Sequence, residues 1–407
     1  MKQPSPPQPK VRLIHVTTVP MTLLVLFQGQ MEYMRQQGLE VIGVSSPGPI
    51  LQKVAERDRI PVYGVSMVRG ISPLADLVAL ARLWRLFRRF RPAIVHGHTP
   101  KAAFLSMLAA TLAFVPVRFY SVRGLMIEIL KGWRSRLLRM VEWITCRCAH
   151  RVLGISFSVA SVMVQEGLCP SDKIKVLHKG CSNGVNSERF NRKRVAAEAV
   201  DRFRSQSRLP ADVPVIGFVG RLVRDKGIHE LIAAWNLLRP EFSDLHLLMV
   251  GPFETRDAVT LPVAEQIYND PRIHHIEWLD DVVPAYMVMD LLFLPTYREG
   301  FSNVVLEAAA MELPVVATKV TGCVDAVVDG VTGILVPPRD PNALADAIRK
   351  LLKDQELRQR IGKAGRERVV RDFKPEDIWE ALYQEYVRLL KEKGIPVPPG
   401  DVSAFCQ

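Results

Sequence analysis

The sequence has few of the features that mark secreted, metal-binding or membrane-spanning chains. Its six cysteines form no Cys-x-x-Cys pair and no Cys/His spacing typical of zinc, which favours a reducing compartment without structural metal. The longest apolar stretch, Ala102 to Val115, is interrupted by Ser106 and Thr111 and is shorter than the ~20 residues that span a bilayer. Residues 1–10 hold four prolines and no apolar core, so a disordered tail is expected there rather than a signal peptide.

The usual nucleotide-binding fingerprints are also missing. There is no G-x-x-x-x-G-K-[ST] loop, no G-x-G-x-x-G after the first predicted strand, and no Asp-x-Asp pair. The first two absences argue against P-loop and ordinary dinucleotide-binding proteins. The third implies that any bound diphosphate is neutralised by protein cations and a helix end, so no metal and no cofactor are expected.

The net charge of +12 is unevenly distributed along the 407 residues. Residues 1–190 hold 26 Lys and Arg against 10 Asp and Glu, whereas residues 191–407 hold 28 against 32. A basic half-chain favours a polyanionic partner, and an anionic membrane surface suits two predicted arginine-rich helices, 74–90 and 133–150. An ordinary solvated surface helix has a similar composition. The residues proposed here for membrane contact are Arg82, Arg85, Arg88, Arg89, Arg134, Arg136, Arg139 and Arg147, with Trp84, Leu86 or Phe87 inserting and with Trp143 and Leu137/Leu138 opposite the second basic face.

Short apolar runs alternate with helical patterns twice along the chain, which predicts two doubly wound α/β domains. The expected division is a tail (1–10), an N-terminal α/β domain (11–190), a linker with a leading helix (191–214), a second α/β domain (215–374), a final helix (375–394) and a tail (395–407). Among the predicted elements is one continuous helix over 23–37. The final helix has no strand of its own to cover.

Two loops of the second domain carry the candidate donor chemistry. The stretch 295–310 reads as a strand end, a Gly-bearing turn and a helix, a junction that suits an anion. Glu299 lies on the turn and Glu307 on the second turn of the helix, where carboxylates would bind neutral sugar hydroxyls. Arg221 and Lys226 lie on the loop after the domain's first strand and could together neutralise a diphosphate. Taken singly, each of these charges could equally be a solvated surface group.

Three stretches are together specific: G-R-L-V-R-D-K-G (220–227), P-T-Y-R-E-G-F-S-N-V-V-L-E-A-A-A-M-E-L-P-V-V-A-T (295–318) and T-G-C-V-D-A-V-V-D-G-V-T-G-I-L-V-P (321–337). They resemble the retaining glycosyltransferases of family 4, of the kind that extends lipid-linked or capsular and exopolysaccharide sugars, and the resemblance covers nearly the whole chain. It implies the GT-B fold, in which two Rossmann-like domains face a cleft, an N-terminal acceptor-binding domain (11–190) and a C-terminal nucleotide-sugar-binding domain (215–374). A crossover helix (375–394) then returns to the N-terminal domain. It also implies that Glu299 contacts the donor sugar, Glu307 the ribose, and Arg221 and Lys226 the diphosphate, with backbone N–H groups contributed by Gly300, Phe301, Ser302 and Asn303.

Two departures from the family pattern lie in the N-terminal domain. The usual glycine-rich loop after the first strand is replaced by residues around Thr18, and Arg123 stands where many members have a histidine. Thr18 and Arg123 are the candidate acceptor-binding or other substrate-binding residues of this domain. His98 is then the candidate catalytic histidine, although a structural role is equally open. A His-x-His zinc site has no evident further ligands.

The sequence therefore predicts a cytoplasmic, membrane-peripheral enzyme. It would move a sugar from a nucleotide-sugar, UDP-linked by expectation, to a polyprenyl-diphosphate-linked or other glycan acceptor. The alternatives are a GT-B-like sugar-nucleotide epimerase and a basic nucleic-acid-binding protein. The second lacks any recognised nucleic-acid module, and no nucleic-acid partner is expected.

Overall fold

The computed structural model describes residues 11–128, 130, 132–255 and 257–397. The predicted N-terminal tail and residues 398–407 of the predicted C-terminal tail lie outside these ranges. The chain divides into two compact units, unit 1 from residues 1–183 and 375–407 and unit 2 from residues 184–374. Each is a parallel α/β unit, as expected.

Unit 1 is built on a parallel sheet, seven-stranded in the described part of the chain, with the order β3-β2-β1-β4-β5-β6-β7. Its strands are β1 (Arg12–Val16), β2 (Glu40–Ser45), β3 (Val62–Gly64), β4 (Ile94–His98), β5 (Val117–Val122), β6 (Arg151–Gly154) and β7 (Ile174–Lys175). Successive residues of a strand face opposite sides of the sheet. Leu13 therefore joins one apolar cluster and Ile14 the other, and both are fully buried. Helices cover both faces, which is why these strands read as nearly continuous apolar runs.

The helices of unit 1 are α1 (Pro20–Leu26), α2 (Gln30–Gln36), α3 (Pro49–Asp58), α4 (Pro73–Phe90), α5 (Pro100–Leu112), α6 (Gly132–Cys148), α7 (Phe157–Gln165) and the closing helix α16 (Pro375–Glu392). Helix α5 packs against both α4 and α6, so these three lie side by side on one face. The other face carries α1, α2, α3 and α16, whose apolar residues share a cluster with Leu13. The helix predicted to cross back to the N-terminal domain does belong to it.

Unit 2 has the strand order β10-β9-β8-β11-β12-β13, again parallel. Its strands are β8 (Val215–Val219), β9 (His246–Val250), β10 (Ile273–Ile276), β11 (Leu291–Leu294), β12 (Val315–Thr318) and β13 (Ile334–Val336). Its helices are α8 (Ala197–Ser207), α9 (Ile228–Leu238), α10 (Leu261–Asn269), α11 (Val283–Val288), α12 (Asn303–Ala310), α13 (Cys323–Ala326), α14 (Pro341–Lys353) and α15 (Gln355–Asp372).

The continuous helix predicted over 23–37 is wrong. It is interrupted between α1 and α2 at Gly29, whose φ of +79° favours glycine. A Cβ at this position would lie only 2.4 Å from the ring of Trp379 on the closing helix. A side chain at position 29 is therefore excluded both by the backbone conformation and by a ring from a distant part of the sequence.

Residues 184–214 pack within unit 2. The sequence had instead predicted residues 184–190 as part of the first domain and residues 191–214 as a linker. The Val185 N–H donates to the Phe373 carbonyl at 2.9 Å, and the Phe190 carbonyl accepts from Arg366 at 3.0 Å. Helix α8 packs against α11 and buries Phe203. At the other end, Ile395 and Val397 were predicted to begin a tail, yet they pack against the core of unit 1.

Two predictions for the basic helices also need correction. Phe87 is 1% exposed inside the core, so it cannot insert into a membrane, because α4 turns the Ala79, Leu83 and Phe87 side toward the sheet. Trp143 is exposed rather than opposite the arginines, and the Arg147 guanidinium lies 4.9 Å from its ring centre. No helix in the described residues has both the length and the apolar composition needed to cross a bilayer.

Candidate active site

Two loops of unit 2 follow neighbouring strands at the carboxyl edge of the sheet. Strands β8 and β11 pair in parallel, and the chain order reverses there, since β9 and β10 lie on one side and β12 and β13 on the other. Doubly wound sheets bind ligands at such a switch point. Loop 220–227 follows β8 and loop 295–302 follows β11. The residues predicted to hold the donor are therefore brought together.

The two loops are in direct contact at Gly227. Its φ is +72°, and a Cβ there would lie 2.0 Å from the carbonyl oxygen of Pro295, so no side chain fits. The Tyr297 N–H donates to the Asp225 carbonyl at 2.8 Å. The Arg298 guanidinium also pairs with the Asp225 carboxylate at 2.8 Å. These contacts join the loops into one hydrogen-bonded platform.

The predicted diphosphate ligands are each paired with a carboxylate. Lys226 Nζ donates to Glu299 Oε1, and both side chains are largely buried, at 16% and 17% exposed. Arg221 is more exposed, at 45%, and donates to Glu254 Oε2 at 2.8 Å. An incoming diphosphate would therefore compete with Glu254 and Glu299 for these two cations.

Two helix N-termini point from the same edge of the sheet, since α9 begins at Ile228 and α12 at Asn303. The first backbone N–H groups of a helix have no partner within it and carry partial positive charge. The Ser302 side chain makes no capping hydrogen bond at α12. The ring of Phe301 packs 5.5 Å from that of Phe373, so the side chain belongs to the core and only the Phe301 backbone can face a ligand.

Glu307 lies on the second turn of α12, beside Tyr286 of α11. The Tyr286 hydroxyl donates to Glu307 Oε2 at 2.8 Å. Burial raises the pKa of Glu307 to about 7, although the Tyr286 hydrogen bond and the Arg189 charge act in the opposite direction. Burial and the Glu307 carboxylate hold the pKa of Tyr286 well above its usual value, so this hydroxyl remains a donor. Oε1 of Glu307 is left for a ligand hydroxyl.

Unit 1 has its own switch point, between β1 and β4. His98 ends β4, and Thr18 follows β1 at the same edge, where its hydroxyl lies 2.8 Å from that of Thr99. Thr99 has a φ of +65°, a strained value for a β-branched residue. Strain of this kind is concentrated at functional sites. The structure thus places both Thr18 and His98 at a position suited to a ligand.

His98 is part of a buried cluster with His15 and His96. His15 Nδ1 lies 3.0 Å from His98 Nε2, while His96 contacts the Tyr386 hydroxyl at 2.5 Å and the Ser121 hydroxyl at 2.7 Å. Burial is the main cause that lowers the pKa of all three imidazoles, so they are neutral at pH 7. The potential ligand atoms lie within 4.8 Å of one another, close enough for a metal, but these hydrogen bonds already account for most ring nitrogens.

Several residues of the two sites were not predicted from the sequence. His15 pairs in register with His96, and aligning the two histidine-bearing strands would have revealed it. No local sequence pattern marks Tyr286 or Tyr386 as a site residue, because each contacts its partner, Glu307 or His96, from a different element. Asp225 looked like one more loop charge, yet it holds the two donor loops together.

Comparison with known proteins identifies the family. Residues 199–368 match the model "Glycosyl transferases group 1", and residues 25–180 match "Glycosyl transferase 4-like domain". The chain is 36% identical over 381 residues to the capsular polysaccharide biosynthesis glycosyltransferase CapM of Staphylococcus aureus, covering 94% of this chain and 98% of that protein. The chain belongs to glycosyltransferase family 4. It is a glycosyltransferase with the GT-B fold, which confirms the family and fold predicted from the sequence.

Two further proteins resemble this glycosyltransferase. The Campylobacter jejuni N,N'-diacetylbacillosaminyl-diphospho-undecaprenol alpha-1,3-N-acetylgalactosaminyltransferase is 26% identical over 310 residues, 75% of this chain and 79% of that protein. The crystal structure of HepE from Anabaena in complex with UDP superimposes with a TM-score of 0.76 at 19% identity, over 93% of this chain and 100% of that one. The second likeness is one of fold.

Proposed function

We propose that this enzyme transfers a sugar from a UDP-linked donor to a polyprenyl-diphosphate-linked glycan, with retention and without a metal ion, in the synthesis of capsular or other surface polysaccharide. The observation that carries the donor half is the platform at β8 and β11, where Lys226, Arg221 and two helix ends lie beside Glu299 and Glu307. The Campylobacter relative, which acts on a diphospho-undecaprenol-linked sugar, supports the lipid-linked acceptor, and the Staphylococcus relative supports the synthesis of a capsular polysaccharide. The UDP bound to HepE supports the nucleotide.

The chemistry requires charge in fixed positions. The bond between the anomeric carbon and the diphosphate oxygen breaks, the acceptor hydroxyl oxygen bonds to that carbon on the same face of the sugar, and the hydroxyl proton passes to the departing diphosphate. Arg221, Lys226 and the ends of α9 and α12 would stabilise the negative charge that develops on the leaving diphosphate, work that preorganised charges do well. Once Lys226 turns to the diphosphate, Glu299 is released to accept hydrogen bonds from the donor sugar.

Calorimetric titration with UDP and GDP, followed by product analysis with UDP-sugars and a lipid-linked acceptor, tests this function. We expect UDP to bind more tightly, and the product to keep the anomeric configuration of the donor when examined by NMR. Preferential binding of GDP would contradict the proposed donor class. Conversion of the donor sugar to its epimer without transfer would contradict the reaction.

We also propose that unit 1 docks on the anionic inner face of the plasma membrane through α4 and α6. Arg82, Arg85, Arg88 and Arg89 on α4 are all exposed, and in the described part of the chain none forms an ion pair with a carboxylate. Apolar side chains are exposed on the same two helices, with Leu74 at 82% and Trp133 at 65%. Each arginine near anionic lipid contributes roughly 1 kcal/mol, and apolar insertion adds a component that salt does not remove.

Liposome flotation tests the docking surface. The double variant Arg85→Glu with Arg88→Glu should lose binding to anionic vesicles. Arg35→Glu with Lys53→Glu makes the same change of charge on α2 and α3, on the opposite face of the sheet, and should retain binding. Equal loss in both variants would show a general charge effect and contradict a specific surface. Trp84→Ser should weaken the binding that survives high salt.

A further inference from the structure

Arg123 is a buried cation whose hydrogen-bonding capacity is mostly unused. It follows β5 directly, and its Nε and Nη1 atoms are inaccessible to solvent and have no hydrogen-bond partner among the residues that the structure describes. Nη2 donates to His98 Nδ1 at 3.4 Å, and the guanidinium lies 4.8 Å from the ring centre of Phe27. Burying N–H groups without partners is unfavourable, and more so when the group is charged.

The histidine cluster cannot supply the missing acceptors. A guanidinium only donates, so His98 Nδ1 must accept, and the single proton of neutral His98 is then on Nε2. That proton is donated to His15 Nδ1 at 3.0 Å, which leaves the proton of His15 on Nε2. This last N–H is itself buried and without a partner. The chain of hydrogen bonds therefore ends in a second unused donor rather than an acceptor.

No carboxylate offsets the charge. In the described residues Arg123 forms no ion pair, and burial lowers its pKa to about 10, a value at which it still carries its charge at pH 7. Arg123 lines a cavity of about 30 Å³ together with Gln30, Ser121 and Ser182. None of the described residues around this cavity is acidic. The space holds the oxygens of one acidic group but not a sugar ring.

We propose that Arg123 and this cavity receive an oxyanion carried by one of the two substrates, either the carboxylate of an acidic sugar or a phosphate of the lipid-linked acceptor. The inference rests on the proposed function, because it takes the site to be a substrate site. Nε and Nη1 would donate to the anion, and the charge of Arg123 would gain its partner only when substrate is bound. Charged hydrogen bonds of this kind correspond to about tenfold to a hundredfold in affinity.

Calorimetry with matched ligand pairs tests the proposal on the full chain. Comparing the affinities for UDP-glucuronate and UDP-glucose isolates the contribution of a carboxylate. Comparing those for farnesyl diphosphate and farnesol isolates the contribution of the phosphate groups. We expect the wild type to prefer the charged member of one pair by about tenfold or more. Arg123→Gln should lose that preference, Arg123→Lys should keep part of it, and neither should change the affinity for UDP alone. Absence of UDP binding would refute the proposed donor site, whereas a charge preference that depends on Arg123 would still support the anion site.

A second measurement separates a ligand site from a structural role. Because the charge of Arg123 is uncompensated, Arg123→Gln should have a Tm equal to or above that of the wild type. Arg118, which lies on the strand that Arg123 follows, is the control, because it donates to the carbonyls of Cys148 and Val115. Arg118→Gln should therefore lower the Tm. Absence of any charge preference in the wild type overturns the proposal, and so does a preference that persists in Arg123→Gln.

Discussion

The closing helix α16 is held on unit 1 by a buried carboxylate, and Glu385→Gln is the change that tests its contribution. Glu385 is 2% exposed and lies 2.9 Å from Arg151 Nε, 2.9 Å from Lys175 Nζ and 2.7 Å from Arg388 Nη2. Arg151 and Lys175 belong to β6 and β7, so the carboxylate joins the helix to the edge of the sheet. The substitution would leave three cations facing a neutral amide.

The magnitude follows from proton linkage. Burial alone would raise the pKa of Glu385, but the hydrogen bonds and charges of Arg388 and Lys175 outweigh it and lower the pKa from 4.5 to about 2. At 1.36 kcal/mol for each pKa unit, this shift corresponds to about 3 kcal/mol of stability. Because the pKa is lower in the folded state, this stability is present above about pH 4.5 and is lost as the pH falls toward 2.

Hydrogen exchange of peptides from α16, combined with urea unfolding at several pH values, measures the effect locally. At pH 7 we expect Glu385→Gln to lower the free energy of opening by about 3 kcal/mol, and the difference from wild type should shrink as the pH approaches 2. Glu392→Gln is the matched control, because Glu392 is 52% exposed and pairs with the same Arg388, so its loss should cost under about 1 kcal/mol. Equal stability of Glu385→Gln and wild type at pH 7 would refute the reasoning.

Four further predictions concern the donor site. Lys226→Ala should lower kcat/KM by about a hundredfold, because the diphosphate loses a charge partner, whereas exposed Lys363→Ala should not; near-normal turnover of Lys226→Ala would remove that assignment. Since the pKa of Glu307 is raised to about 7, the affinity for uridine should rise by up to about tenfold from pH 6 to 8 as the carboxylate ionises, and a flat profile in wild type would contradict ribose binding. The same shift should lower stability as the pH rises from about 4.5 to about 7, because the folded state then binds more protons. Activity should survive EDTA, and a loss restored by Mn²⁺ or Mg²⁺ would mean that the diphosphate is held differently.

The sequence was most informative for buried parallel strands. The apolar runs 215–219 and 291–294 predict strands, and they form β8 and β11 with those bounds, since strands covered on both faces are uninterrupted apolar runs. Helix α15 was not predicted. Its packed face includes Gly362 and Gly365 beside Ile361. Because glycine is not counted as an apolar residue, this face shows no helical spacing of apolar residues in the sequence.

In the candidate site too, residues within local motifs could be predicted from the sequence, whereas partners from distant elements could not. Arg221, Lys226, Glu299 and Glu307 could be predicted because they occupy fixed places in local motifs, and the structure brings the segments that carry them to one switch point. Partners from other elements could not be found in this way. Tyr286, for example, controls the Glu307 carboxylate from a different helix, and its sequence context is that of any core tyrosine.

The closing helix also constrains how the chain can fold during synthesis. A nascent chain that has emerged as far as residue 374 contains all of unit 2, whereas unit 1 still lacks Leu382, Tyr386 and Leu390 of its core. The part of the sheet face that α16 covers therefore stays exposed until residues 375–392 have been synthesised, although α1, α2 and α3 already pack on the same face. Domains usually complete folding in the order in which they are synthesised, but here the N-terminal unit is completed last. A stop codon in place of residue 375 would leave unit 2 whole and would remove only the contribution of α16 to the core of unit 1.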